Sequence, residues 1–167
     1  MSAQWYVLSV KAHKEPPVHR YLQTQKIKTY YPTMRVNPVN PRARRERPYF
    51  PGYMFVHVDL DLEGDNRMRW IPGTRGLVRF GDRPAAVPEN LIQTLHRQLQ
   101  AFQQRQADAK ILEKGDRVRI IKGPFEGYEA IFDAHVSGKD RVQVLMAYLN
   151  HHSRRLRISA HHLEKIT

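Results

Sequence analysis

Nine histidines, sixteen carboxylates and no cysteine make up the reactive inventory of this 167-residue sequence. Without a thiol there can be no disulfide framework, no thiolate zinc site and no cysteine nucleophile. Two adjacent pairs, His151-His152 and His161-His162, raise the question of a metal centre. Both lie among segments that read as strands and turns. Neighbouring side chains on a strand point to opposite faces, so neither pair chelates one ion easily, and both read as solvated edge or turn histidines. Neither a glycine-rich phosphate loop nor a Ser, His and acid arrangement in a motif context is present. The expectation is a protein that is not an enzyme, with no cofactor and no metal.

The charge is more telling. Lys and Arg number 28 against 16 Asp and Glu, a formal net charge of +12, which favours polyanionic partners through counterion release. Most of the excess lies early: residues 1–107 carry 17 basic and 8 acidic side chains, the remainder 11 and 8. Arg42, Arg44, Arg45 and Arg47 cluster in NPVNPRARRERP (37–48). They read either as a solvated loop or as a nucleic-acid contact. There is no apolar run of 18 residues, no secretory leader and no basic amphipathic helix of clear moment, so a soluble, cytoplasmic protein with no membrane partner is expected.

A third group of residues is apolar. In FPGYMFV (50–56), alternation puts Tyr53 and Phe55 on one face and Phe50, Met54 and Val56 mostly on the other. One face at least is core; an exposed second face on a basic domain would suit a protein partner.

The elements that must hold these residues follow from periodicity. QWYVLSV (4–10) reads as a strand with Trp5, Val7 and Ser9 on one face and Tyr6, Leu8 and Val10 on the other. Pro16 and Pro17 suit the first turn of a helix over about 16–26. TYYPTMRV (29–36) is strand-like, the Pro-rich basic stretch is a long loop, and YFPGYMFVHVDL (49–60) returns as a central strand, so the three form a long hairpin arm. GLVRF (76–80) is a short strand. A helix starts near Pro88 with Leu91, Ile92, Leu95, Leu99 and Phe102 in one stripe. Beyond about 107 the period falls to two, with strands expected at 116–121, 129–136, 141–149, 155–159 and 162–166, which suggests a small barrel.

WYVLSV, FPGYMFV, TRGLVRFG, PAAVP and KGDRVRIIKGPFEGYEAIF, in that order over nearly the whole chain, resemble the NusG family of transcription elongation factors. The GPFEG stretch resembles the KOW motif, whose two glycines permit a tight turn while Phe125 and Phe132 supply apolar bulk. The resemblance implies an α+β protein: an α/β sandwich domain (1–107), a linker (108–112) and a five-stranded SH3-like KOW barrel (113–167). It implies RNA polymerase as partner, gripped at the β′ clamp helices and bridged to the β subunit, which disfavours pausing or termination. Trp5, Phe50, Tyr53, Phe55 and Ile92 would form the polymerase-binding face.

TRGLVRFGDRPAAVP and EGYEAIF look closer to the specialised RfaH-like members than to general ones. That likeness implies contact with the non-template DNA strand through Lys11, Thr74 and Arg75; Tyr21 and Thr24 stand where other family DNA contacts would lie. RfaH-like proteins can also hide the clamp-binding face under a helical carboxy-terminal hairpin, held partly by an acid before the FPxYxF strand and an arginine. Arg141 matches the arginine, but Arg47 occupies the acid's position and would repel it. The expectation for 113–167 is therefore the β-barrel. On it, Tyr148 and Leu149 would contact a small-subunit ribosomal protein or Rho, or else belong to the barrel core. A monomer is expected. The rival reading is a KOW-containing ribosomal protein, a structural RNA binder.

Overall fold

The computed structural model describes residues 3–35, 42, 46–109, 129–132 and 136–166, with the backbone alone at 65, 105–109, 129–130 and 153–166. Strand β1 (Gln4–Val10) is the centre of an antiparallel sheet. On one side it pairs with β5 (Tyr53–Val58), which pairs in turn with β2 (Lys28–Tyr30). Its other edge is shared by β7 (Ala86–Val87), opposite Trp5 and Tyr6, and β6 (Thr74–Leu77), opposite Leu8 to Val10. The register places Val7 opposite Phe55 and Leu8 opposite Met54. Because strand side chains alternate, this one pairing sorts the apolar residues into two layers.

Tyr6, Leu8 and Val10 face Met54, Val56 and Val58 and are covered by Val18 and Leu22 of α1 (Glu15–Thr24), with Met68 of α3 (Asp65–Arg69) and Ile71. Pro16 and Pro17 open α1, where a missing N–H is harmless. A short α2 (Leu60–Glu63), capped by the Asp59 carboxylate accepting from the Asp61 amide, precedes α3; neither was legible as a helix. On the opposite face, Trp5, Val7 and Phe55 meet Leu91, Ile92, Leu95 and Leu99 of α4 (Glu89–Ala109). The expected apolar stripe of α4 is buried throughout, Phe102 included. A separate two-stranded ribbon joins β3 (Thr33–Arg35) to β4 (Glu46–Pro48), the base of the expected hairpin arm.

Two expectations fail. Phe50 does not lie on the Met54 side: it packs with Phe55, ring centroids 5.8 Å apart. The cause is a turn. The Tyr53 amide donates to the Phe50 carbonyl (3.0 Å), with Pro51 next and Gly52 at φ +83°. That is the residue pattern of a type II turn, so strand parity starts only at Tyr53.

The larger correction concerns the carboxy-terminal part. In place of strands at 141–149, 155–159 and 162–166 there is one long helix, α5 (Gly138–Ile166), preceded by a 3₁₀ turn at Glu129–Phe132 within the expected strand 129–136. The expected strand 116–121, the KOW turn at 122–128 and the 108–112 linker beyond Ala109 lie outside the described residues. The β-branched composition of RVQVLMAYL is overridden by burial, because Arg141, Leu145, Tyr148 and Leu149 fall on one helical face and all four are buried.

An apolar face and its helical cover

Strand β1 contributes Trp5 and Val7 to the α4-side face, and β5 contributes Phe55 with Tyr53 partly buried at its margin. The Trp5 indole N–H donates to the Glu89 carboxylate at the start of α4 (2.8 Å), which ties the sheet to that helix. Lys28 lies over the same indole at 5.5 Å and His57 is tilted against it at 5.0 Å. Tyr49 meets Phe50 edge-on at 5.2 Å, and Tyr30 stacks on Phe55 at 6.1 Å. Burial raises the Tyr30 phenol well above its ordinary range, so the ring stays neutral. All five residues expected at the polymerase face, Trp5, Phe50, Tyr53, Phe55 and Ile92, belong to this one cluster.

The cluster is not open. Ile131 and Phe132 of the 3₁₀ turn, then Leu145, Tyr148 and Leu149 of α5, are buried within it, with Val142, Val144 and Met146 packed at its edge. Tyr148 and Leu149, expected on a barrel, are therefore placed against the sandwich domain. Burying an aliphatic or aromatic side chain is worth roughly 1.5–3 kcal/mol, so these five residues supply the main attraction that holds the 3₁₀ turn and α5 on the face.

Arg141 secures the near end. It is 4% exposed. Its Nε–H donates to the Tyr49 carbonyl (2.9 Å), a second guanidinium N–H donates to the Val136 carbonyl, and the group lies 3.9 Å from the Tyr49 ring centroid. The expected repulsion from Arg47 does not prevent this docking. Arg47 is exposed, lining with Arg141 an open cleft of about 870 Å³, so water screens its charge while Arg141 turns to carbonyls and a π face.

The nucleic-acid candidates divide differently. Lys11 and Arg75 are exposed near one another: the Lys11 amide donates to the Gly73 carbonyl (2.8 Å), one residue before β6. Thr74 is 6% exposed, and its hydroxyl is held by the Met68 and Ile71 carbonyls at 2.7 and 2.8 Å. It positions Arg75 rather than offering a free hydroxyl. Arg42 is exposed, whereas Arg44 and Arg45 lie outside the described residues. Tyr21 is 40% exposed, and the Thr24 hydroxyl donates to the Tyr21 carbonyl. Among the described residues no His, Asp or Glu group is arranged to hold a metal, and no helix is long and apolar enough to cross a membrane.

The family model described as "Transcription termination factor nusG" matches residues 3–96, more than half of the chain. The chain belongs to the NusG family. Its relatives include the transcription termination/antitermination protein NusG of Pasteurella multocida, 25% identical over 153 residues and 84% of each chain. The Escherichia coli K12 protein of the same name is 27% identical over 104 residues, 62% of this chain and 58% of its own. Among solved structures, one titled "Domain interaction in Thermotoga maritima NusG" aligns at a TM-score of 0.39 and 24% identity, covering 74% of this chain and 68% of that one. The NusG match takes in every strand of the five-stranded sheet and the first turns of α4, and α5 lies beyond it.

Within this NusG-family chain, sequence reasoning missed Tyr49, Leu145, Ile131 and Phe132 as parts of the face. A signal existed for the α5 contact: the four residues Arg141, Leu145, Tyr148 and Leu149 stand at the i, i+4, i+7 and i+8 positions of a buried helix face.

Proposed function

We propose that the face built from Trp5, Phe50, Tyr53, Phe55 and Ile92 binds RNA polymerase at the β′ clamp helices, and that α5 occupies this face until it is displaced. The chain then acts mechanically: bridging clamp and β subunit favours the closed, processive polymerase and opposes pausing or termination, for which a differential affinity suffices. The observation that carries this reading is convergence. Five residues spread from position 5 to 92 meet in one apolar cluster, and the same chain's α5 covers it. A cover of this kind fits the RfaH-like branch better than a general factor.

Lys11, Arg75 and the arginines around position 42 form the second surface of the proposal, steadying the chain on the non-template DNA strand. Once α5 leaves, residues 113–167 are free to adopt the strand pattern legible in their sequence, a KOW barrel joined to the 1–107 domain through 108–112. Tyr148 and Leu149 then face a small-subunit ribosomal protein or Rho. The protein works as a monomer, in the cytoplasm, without a cofactor.

The test is polymerase binding by the full chain carrying Tyr53→Ala and Phe55→Ala together. At least tenfold weaker binding is expected, with cooperative melting retained. Unchanged binding in a folded double variant would remove the face from the function.

A further inference from the structure

Trp70 is left without a role by everything above. Its side chain is 81% exposed, while the chain's other tryptophan, Trp5, is buried and hydrogen-bonded. An exposed indole offers a large flat ring face and an N–H donor to whatever meets this surface. Yet the backbone beneath it is firmly built. The Trp70 amide donates to the Arg67 carbonyl (3.3 Å), closing α3, and the buried Thr74 hydroxyl bonds the carbonyls of Met68 and Ile71 on either side of it. The indole is thus presented from a rigid turn.

Four basic residues are anchored beside that turn. The Lys11 amide donates to the Gly73 carbonyl. Lys14 packs so closely that its Cβ would lie 3.3 Å from a Cβ on Gly73. Arg69 precedes Trp70 and lies across Gly76, 3.7 Å from where a Cβ there would stand, and Arg75 is Gly76's chain neighbour. All four are exposed, and among the described residues none has a carboxylate in ion-pair range. Glu15, next to Lys14 in sequence, is buried and accepts from the Gly52 amide (3.1 Å), Glu63 pairs with Arg67, and the Asp59 carboxylate accepts from the α2 amide of Asp61.

We infer that Trp70 is a stacking platform for an unpaired base of a single-stranded nucleic acid whose phosphates lie on Lys11, Lys14, Arg69 and Arg75. An aromatic ring among cations is how such strands are held without sequence choice, because every base has a π face. A protein partner matches the site less well, since an apolar anchor ringed by unpaired cations would leave those charges to be desolvated. The inference rests on the proposal that this surface meets a DNA strand, and adds the residue that takes the base.

The experiment uses the full chain and a fluorescently labelled oligothymidylate at low salt, with tryptophan emission followed in parallel. Trp70→Ala should weaken binding by about 5- to 150-fold. Its salt slope should match that of the unaltered chain, whereas Arg75→Ala should lower the slope by about one. Emission should be quenched on binding, and Trp70→Phe should abolish the quenching while keeping most of the affinity. An abasic strand of equal length should bind the unaltered chain and Trp70→Ala alike. If Trp70→Ala binds oligothymidylate normally while Arg75→Ala is impaired, the stacking role is overturned and the strand contact stands. Should neither substitution matter, both readings fall. Loss of polymerase binding with strand affinity unchanged would assign Trp70 to a protein partner and likewise overturn the inference.

Discussion

Arg141 illustrates how one residue decides between two outcomes. In the sequence it stands opposite another arginine, which argues against docking; in the structure its charge is met by the carbonyls of Tyr49 and Val136 and by the Tyr49 ring. None of these acceptors titrates between pH 4 and 9, and buried contacts are weakly screened. Raising salt should therefore leave α5 docked, unlike a lock made from an exposed ion pair. Arg141→Ala should cost docking about 1.5–3 kcal/mol, the worth of hydrogen bonding to a charged group, read as faster amide exchange in α5 with the sheet amides still protected. Lysine at this position should rescue only partly, having neither the fork nor the planar face. A second residue carries the pH dependence. Burial lowers the pKa of His19, whose ring is 5.5 Å from that of Tyr31. The unfolded chain then takes up the proton first, near pH 6.5, and stability should fall as pH drops from there through the folded value. Melting of His19→Gln should lose that part of the slope; an unchanged slope would assign the pH dependence elsewhere.

At the scale of elements, the legible parts were those with one strong period. Strand β1 alternates cleanly, and its two expected faces are the two layers observed. The stripe of α4 from Leu91 to Phe102 was equally plain and is buried. Phe50 was misplaced because the turn through Pro51 and Gly52 resets the alternation. Helix α5 was ambiguous for a deeper reason. RVQVLMAYL satisfies a strand by composition and a helix by the spacing of Leu145, Tyr148 and Leu149, and only the apolar face it meets chooses between them. The start of that helix offers a test. A Cβ on Gly138 would stand 2.7 Å from Pro51 Cγ and Cδ, closer than the two atoms can sit. Gly138→Ala should shift or loosen α5 at its first turn, increasing proteolysis there without lowering the melting temperature of the sandwich domain. Equal protease sensitivity would mean that the Pro51 contact is not part of the dock.

In the molecule as a whole, α5 competes with any partner for one face. While α5 is docked, a partner seeking Trp5, Phe55 and Ile92 binds only the fraction of molecules that are open, so its apparent affinity falls by that fraction. Strengthening or weakening the cover should move partner affinity in the opposite direction without altering a single contact residue of the face. Replacing the buried Leu145 and Leu149 together by glutamate in the full chain places two charges in an apolar interface and should expel α5. The decisive measurement is the affinity of this double variant for RNA polymerase beside that of the unaltered chain. The account predicts at least tenfold tighter binding by the variant; equal or weaker binding, in a molecule whose sandwich domain still melts cooperatively, would contradict it.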